Sequence, residues 1–203
     1  GIESMNDVTH TCFYDIPLLM NIPNLIYLAP TCKEEYLAMM DWAIAYREHP
    51  VAIRVPVNGV ISRNIQCTQT DWSKPAYEVA HKGSRVAILG LGAYFQLGDT
   101  LRNALAQEGI DATLVNPRII TALDTETLDN LKADHSLVIT LEDGQIDGGW
   151  GEKIARYYGN SDMRVLVRGE RKQFEDRYHV ADLLAANRLT VPQMVEDVVA
   201  ALS

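Results

Sequence analysis

The second half of the chain alternates apolar runs of strand length with amphipathic segments of helix length. The runs are "RVAILGL", "DATLVNP", "SLVITLED" and "MRVLVRG", and the segments between them include "YFQLGDTLRNALAQEG" and "GGWGEKIARYYG". Strands that alternate with helices of about ten residues build a parallel sheet with helices on both faces. We therefore predict an α/β fold whose main part is a doubly wound, mainly parallel sheet.

A shorter strand–helix–strand unit precedes this part. "NLIYLAP" and "VAIRV" have strand character, and the helix between them begins near Thr31 and Glu34, which have the spacing of a capping box. The spacing of its apolar residues predicts one buried face, formed by Tyr36, Met39, Met40, Ala43 and Ile44. Such a βαβ unit pairs its strands in parallel, but about 70 residues cannot cover both faces of the sheet. The unit therefore requires a partner.

Between residues 56 and 83 both periodicities are lost, and turn residues such as Asn58 and Gly59 alternate with isolated apolar ones. This composition is typical of a connecting segment. We predict three parts, namely residues 1–60, a linker at 61–83 and a domain at 84–203. Because the first residue is Gly1, we also expect the chain to be part of a longer protein.

Charge and cysteine content exclude several classes of function. Acidic residues outnumber basic ones by 27 to 18, which argues against binding to nucleic acid or to an anionic membrane surface. Cys12, Cys32 and Cys67 are widely spaced and lack the pattern of a zinc site, so we predict a reducing, cytoplasmic setting. Since every apolar run is shorter than the ~20 residues of a membrane-spanning helix, we predict no membrane segment.

Two motifs have both a structural and a functional interpretation. Gly90 and Gly92 begin a GxGxxG-like pattern, but Phe95 occupies the third glycine position, so we interpret them as a tight strand-to-helix turn. Glu142 and Asp143 follow a predicted strand, where open α/β sheets place ligand clefts. Carboxylates at such positions more often cap the backbone amides of the next helix. We favour capping, with a role in a cleft as the alternative.

His10 lies in a polar stretch, "DVTHTC", that is unlike a core segment. An imidazole in such a loop can donate or accept a proton near neutral pH, which suits work on a hydroxyl or carbonyl oxygen. The pattern by itself leaves a site role and an ordinary polar loop position equally open.

Several boxes in the chain resemble the 1-deoxy-D-xylulose-5-phosphate synthase branch of the transketolase family. The first part matches the family patterns "THQG-x-FD", "IPN-x-x-x-x-AP" and "A-[VI]-R-x-P". The matching residues are, in order, Thr9-His10, Phe13-x-Asp15, Ile22-Pro23-Asn24, Ala29-Pro30 and Ala52-Ile53-Arg54-x-Pro56. Downstream, "VAILGLG", "LVNPRIITALD" and "VITLEDGQIDGGWGEKIA" are similar to the C-terminal domain of the family. The resemblance implies a partial pyrimidine-binding domain followed by a transketolase C-terminal domain.

The resemblance also assigns a role to His10. In the family, the histidine of the "TH" box contacts an oxygen of the sugar-like substrate, so we carry this catalytic role to His10, with Thr9 beside it. A family aspartate four residues earlier binds a substrate hydroxyl. That position is Asn6 here, and Asp7 follows it, so both are candidate substrate-binding residues.

One departure from the family affects the acceptor substrate. The family pattern continues "R-x-P-R-G", and its second arginine binds the phosphate of the acceptor aldehyde. Val57 stands at that position here. Arg54 is the first arginine of the box and is expected to be structural, whereas Arg63 could replace the missing guanidinium only by folding back.

The main cofactor-binding motifs of the family are missing from these residues. The GDG…N segment and the pyrimidine-activating glutamate are not in the chain, so we assign no cofactor or metal ligand to it and expect it to be inactive alone. In the complete enzyme, the resemblance implies thiamine diphosphate, Mg²⁺, and transfer of a two-carbon unit from pyruvate, a keto acid, to an aldehyde or sugar phosphate. It also implies a homodimer.

Two alternatives stay open. The first is a transketolase or keto-acid dehydrogenase β-type subunit that acts with a separate N-terminal chain. The second is a non-catalytic dimerisation or regulatory module.

Overall fold

The computed structural model describes residues 1–2, 12–56 and 59–203. The helices are α1 (Asp15–Leu19), α2 (Lys33–Ala45), α3 (Phe95–Gln107), α4 (Thr125–Leu131), α5 (Trp150–Tyr158), α6 (Val180–Ala186) and α7 (Val191–Leu202). The strands are β1 (Ile26–Leu28), β2 (Val51–Ile53), β3 (Glu78–His81), β4 (Arg85–Gly90), β5 (Thr113–Asn116), β6 (His135–Gln145) and β7 (Arg164–Glu170). No helix in these ranges is both long and apolar enough to cross a membrane.

The main sheet has five strands in the order β3-β5-β4-β6-β7, and all of them are parallel except β3. Successive residues of a strand point to opposite faces of the sheet, and β4 and β6 divide their side chains accordingly. Ala87, Leu89 and Val138 pack towards α4 and α5, whereas Ile88 and Ile139 pack towards α3 and α7. The predicted doubly wound, mainly parallel α/β fold is therefore confirmed.

The first part of the chain forms a smaller parallel sheet of β1 and β2, with Ile26 opposite Val51 and Leu28 opposite Ile53. This sheet does not have a core of its own. Tyr27, Leu28 and Met39 belong to the same buried cluster as Trp150 on α5. The strand–helix–strand unit is thus packed against one face of the main domain.

The inner face of α2 differs from the predicted one. Met39 is buried, but Met40 and Ile44 are 36% and 64% exposed, so their predicted burial is wrong. Glu35 lies on the inner face instead, with 0% of its surface exposed. A polar network around Glu35, described below, rotates the helix so that part of its apolar stripe faces solvent.

The turn between β4 and α3 requires both glycines that the sequence places there. Gly92 has a φ of +55°, a conformation that costs a residue with a side chain about 1–2 kcal/mol. A Cβ atom on Gly90 would lie 2.7 Å from the Cα of Phe95. The interpretation of these glycines as a tight strand-to-helix turn is confirmed.

Candidate functional site

The predicted site residues Asn6, Asp7, Thr9 and His10 lie outside the described residues, as does Val57. The structure does describe the residues on either side of them. Ile2 and Phe13, on either side of residues 3–11, are both held near the carboxyl end of β6, and Arg54 contacts the same part of the strand.

The flanks of residues 3–11 are held by backbone hydrogen bonds to β6. The amide of Ile2 donates to the carbonyl oxygen of Asp143 at 3.1 Å, and the amide of Gln145 donates to the carbonyl oxygen of Phe13 at 2.8 Å. Phe13 is buried, and its ring centroid lies 5.8 Å from that of Tyr178. Ile2 and Phe13 are therefore both bonded to the same short stretch of β6.

A cluster of buried charges centres on Arg54. Its Nε donates to Asp15 Oδ2 at 2.6 Å, and its Nη1 contacts Asp143 Oδ1. The Tyr27 hydroxyl also donates to Asp15, at 2.6 Å. Burial by itself would raise the pKa of Asp15, but the charge and hydrogen bond of Arg54, together with the Tyr27 hydroxyl, outweigh it and hold that pKa below its usual value. Arg54 is thus structural, as expected.

Arg63 is engaged in the same way further along the chain. Its two terminal nitrogens lie 3.0 and 3.2 Å from the carboxylate oxygens of Glu78, and its guanidinium stacks over the ring of Phe95, 4.3 Å from the centroid. These contacts hold the guanidinium of Arg63 between Glu78 and Phe95. Neither Arg54 nor Arg63 therefore presents a free guanidinium in place of the arginine that Val57 replaces.

A cavity of about 300 Å³ lies beside residues 59–61 and the β4–α3 turn. Its walls include Ile2, Pro56 and Gly59, together with Tyr94 from the β4–α3 turn. The cavity is open at one side and mainly apolar.

Glu142 fulfils the structural role that the sequence favoured. Its carboxylate accepts hydrogen bonds from the amides of Trp150 and Gly151, at 2.9 and 2.7 Å, and so caps the N-terminus of α5. A Cβ atom on Gly149 or Gly151 would lie within 3.0 Å of that carboxylate. Complete burial raises the pKa of Glu142 to about 8, against the lowering effect of the two amides.

Sequence reasoning missed a second polar network, which centres on Glu35. Its carboxylate accepts from the amide and hydroxyl of Thr31 at 2.9 and 2.8 Å, from Asn116 Nδ2 at 2.8 Å and from Arg118 Nε at 2.7 Å. The predicted capping box of Thr31 and Glu34 is therefore wrong, since Thr31 pairs with the next glutamate. Two adjacent glutamates at a helix start were the only sequence signal, and they did not show which one turns inward.

In the described ranges, no three His, Cys, Asp or Glu side chains come together as a group that could hold a metal ion.

The comparison with protein families gives a match to "Transketolase, C-terminal domain" over residues 76–169. Residues 76–169 are thus similar to this domain, and the five-stranded sheet that they help to form agrees with the likeness. Similarity extends beyond it to curated proteins named 1-deoxy-D-xylulose-5-phosphate synthase. The protein of Clostridium tetani is 28% identical over 200 residues, and that of Rippkaea orientalis is 32% identical over 206 residues; each match covers 98% of this chain. The protein of Clostridium botulinum is 34% identical over 170 residues, or 82% of this chain.

These relatives are much longer than this chain. The matches cover 32% of the Clostridium tetani and Rippkaea orientalis proteins and 27% of the Clostridium botulinum protein. The chain thus spans about a third of the length of the curated relatives it matches.

Solved structures agree with the fold. A structure titled as a split gene transketolase in an inactive β4 tetramer is 25% identical, has a TM-score of 0.81, and is matched over 97% of this chain and 64% of its own. A transketolase variant from Pichia stipitis is matched over 97% of this chain and 28% of its own, with a TM-score of 0.69. Because its identity is only 13%, this second likeness supports the fold alone.

Proposed function

We propose that this chain is the C-terminal portion of a thiamine-diphosphate-dependent transferase of the 1-deoxy-D-xylulose-5-phosphate synthase type. The complete protein would transfer a two-carbon unit from pyruvate to an aldehyde acceptor. The observation that carries the proposal is the extent of the similarity, which includes 98% of the chain and not only the C-terminal domain. We further propose a cytoplasmic homodimer.

His10 is the proposed catalytic residue of this chain. Its imidazole would hydrogen-bond an oxygen of the substrate, a task that suits a group with an unperturbed pKa near 6.5. Thr9 would support it, and Asn6 or Asp7 would bind a substrate hydroxyl. The match of Thr9-His10 to the "TH" box of the family supports this assignment.

The acceptor would not be held by an arginine at position 57. A charged hydrogen bond from a guanidinium contributes about 1.5–3 kcal/mol, and valine offers none. Arg54 and Arg63, the arginines nearest in sequence, are both paired with carboxylates. We therefore propose an acceptor that lacks a phosphate, or one whose phosphate is bound by a group outside residues 54–63.

Thiamine diphosphate and Mg²⁺ would supply the carbon nucleophile in the complete enzyme. Their ligands would come from protein outside these 203 residues, because the family motifs for them are not in this sequence. The part of the proposed reaction that belongs to this chain is binding and orientation of the substrate.

Isothermal titration of thiamine diphosphate with Mg²⁺ tests this proposal. We expect binding by the complete protein and none by the 203-residue chain, followed by turnover of pyruvate with an aldehyde. If the complete protein binds no cofactor, the catalytic proposal is overturned and a dimerisation or regulatory module is left. A His10→Ala variant that binds cofactor normally but loses turnover would support the role of the imidazole.

A second candidate is a subunit of a two-chain enzyme of the transketolase or keto-acid dehydrogenase β type. The observation that favours it is the likeness to a structure titled as a split gene transketolase. Co-expression with a separately encoded chain that carries the GDG…N motif would test it. Cofactor binding only in the mixture would support two chains, whereas binding by one long polypeptide would overturn this candidate.

A further inference from the structure

We propose that a cleft between α1 and α5 binds a small phosphorylated metabolite through the side chains of Lys153 and Arg156. The cleft has a volume of about 550 Å³ and is open to solvent. Met20 and Asn21, which follow α1, form one wall, and residues in the range 148–156 form the other. Because none of these residues belongs to the proposed catalytic set, the site is independent of the proposed transferase activity.

Lys153 carries a charge that no described carboxylate neutralises. Its side chain is partly buried, and its ammonium contacts the carbonyl oxygens of Ile120 and Thr121. Burial, together with the charge of Arg156, lowers the pKa of Lys153 below its ordinary value. A charge removed from water is normally paired with an opposite charge, because desolvation is otherwise costly. Since an ammonium has three N–H donors, one is left for an acceptor in the cleft.

Arg156 is the second cation of the cleft. It stands three residues after Lys153 on α5, a spacing that puts the two side chains on one face of the helix. Its guanidinium is exposed and forms no hydrogen bond or ion pair with another described residue. Two like charges at this spacing repel each other, so an anion that contacts both also removes a repulsion. A guanidinium in addition matches the geometry of a phosphate group.

The backbone amides near the start of α5 already have acceptors. Those of Trp150 and Gly151 donate to the carboxylate of Glu142, at 2.9 and 2.7 Å. The amide of Gly148 donates to Glu152 Oε2 at 2.8 Å, and this bond holds the carboxylate of Glu152 at the edge of the cleft. The proposed anion is therefore bound by the two cationic side chains and not by the N-terminus of the helix.

The other groups of the cleft indicate a ligand with hydroxyl groups. The side-chain amide of Asn21 donates to the carbonyl oxygen of Pro17 at 2.8 Å, which leaves its Oδ1 free to accept. Glu152 likewise has one carboxylate oxygen, Oε1, without a donor among the described residues. Both acceptors suit hydroxyl groups, and the carboxylate would repel a bare anion. The volume of the cleft is typical of sites for small organic ligands, so a phosphate monoester with hydroxyl groups matches it best.

Isothermal titration of glycerol 3-phosphate into the 203-residue chain tests the site. This probe combines a phosphate monoester with two hydroxyl groups, and chloride keeps the ionic strength constant. We expect it to bind about tenfold more tightly than inorganic phosphate, because its hydroxyl groups add hydrogen bonds. If neither compound binds, the proposal is overturned. Equal affinities would indicate an adventitious ion only, which also overturns it.

Arg156→Gln is the decisive variant, because the exposed guanidinium contributes no described contact to the fold. We expect it to weaken binding of glycerol 3-phosphate about ten- to a hundredfold, the effect of one charged hydrogen bond. Lys153→Gln should have a similar effect. Lys82→Gln is the matched control, since Lys82 is also exposed but precedes β4 and does not line the cleft. Equal affinities of Arg156→Gln and Lys82→Gln would overturn the assignment.

Lysine acetylation followed by mass spectrometry locates the ligand in the complete protein. Saturating glycerol 3-phosphate should slow the acetylation of Lys153 severalfold and leave that of Lys82 unchanged. An equal effect on both lysines, or no effect on Lys153, would overturn the site. Because this measurement requires neither thiamine diphosphate nor turnover, its result is separate from the success or failure of the proposed transferase function.

Discussion

Glu170 is a buried carboxyl that can make the free energy of unfolding depend on pH. It ends β7, has 0% of its surface exposed, and accepts a hydrogen bond of 2.9 Å from Asn187 Nδ2. Burial, together with repulsion from Glu175, raises the pKa of Glu170 from its ordinary 4.5 to about 7. The folded chain therefore holds a proton at Glu170 that the unfolded chain has already lost between these two pH values.

We predict that Glu170→Gln flattens the pH dependence of stability. Because the folded pKa is the higher one, the contribution of Glu170 to the free energy of unfolding is greatest below pH 4.5 and falls as the pH rises to about 7. The expected decline is about 1–3 kcal/mol across this window. Urea unfolding of the 203-residue chain at several pH values measures it.

The exposed Glu126 on α4 offers a matched control for this experiment. Glu126→Gln should retain the decline of the unsubstituted chain, since it leaves the buried carboxyl of Glu170 in place. If the free energy of unfolding of Glu170→Gln falls with pH as steeply as that of the unsubstituted chain, the prediction is contradicted, because Glu170 then does not cause the decline.

At the scale of elements, α2 is attached to the main sheet by charge as well as by apolar packing. Glu35 on its inner face binds Arg118 and Asn116, both of which follow or end β5. Arg118 also lies 3.3 Å from Glu78 on β3. The helix of the first part is thus connected to two strands of the main sheet through one buried glutamate.

We predict that Glu35→Ala lowers the free energy of unfolding by about 3–5 kcal/mol, because it leaves Arg118 and Asn116 without their main acceptor. Glu34→Ala should cost less than about 1 kcal/mol, since Glu34 is half-exposed and contacts Ser62 and the amide of Arg63. Urea unfolding of the two variants distinguishes the observed pairing of Thr31 from the one expected from the capping-box pattern. A larger loss for Glu34→Ala would contradict the described network.

In the molecule as a whole, the first part of the chain leaves the outer edge of β2 and several apolar side chains exposed. The ladder between β1 and β2 uses the backbone groups of Pro50, Ala52 and Arg54, so those of Val51 and Ile53 point to the open edge. In the same part of the chain, Leu18, Leu37 and Ile44 are 50–69% exposed. An open strand edge and exposed apolar side chains are each typical of a surface that another part of the protein covers.

We predict that this surface makes the 203-residue chain self-associate when it is produced alone. The double variant Leu37→Lys, Ile44→Lys should shift sedimentation velocity towards a smaller species and change stability by only about 0.5 kcal/mol per site. Val199→Lys, on the exposed side of α7, is a suitable control because it lies on the other part of the molecule. Equal behaviour of the two variants would show that the face of α2 is not the contact.

The alternation of apolar and amphipathic segments was sufficient to predict the doubly wound, mainly parallel sheet. The spacing of Gly90 and Gly92 was sufficient to predict the turn between β4 and α3. The capping role of Glu142 also followed from its position between a strand and a glycine-rich helix start. These features depend on the spacing of residues within one segment, because helices and strands have the same side-chain period wherever they lie in the fold. The boundaries at residues 60 and 83 and the roles of residues 6–10 remain predictions.

Tertiary structure decided the features that depend on which distant groups meet. The sequence pattern placed Met40 and Ile44 inside and paired Thr31 with Glu34, but the guanidinium of Arg118 draws Glu35 inward and turns the helix. Likewise, Asp143 and Arg54 are 89 residues apart, and no local rule brings them together. Local spacing therefore fixes the elements and the family resemblance, whereas long-range charge pairing and apolar packing fix how the first part is attached to the main sheet.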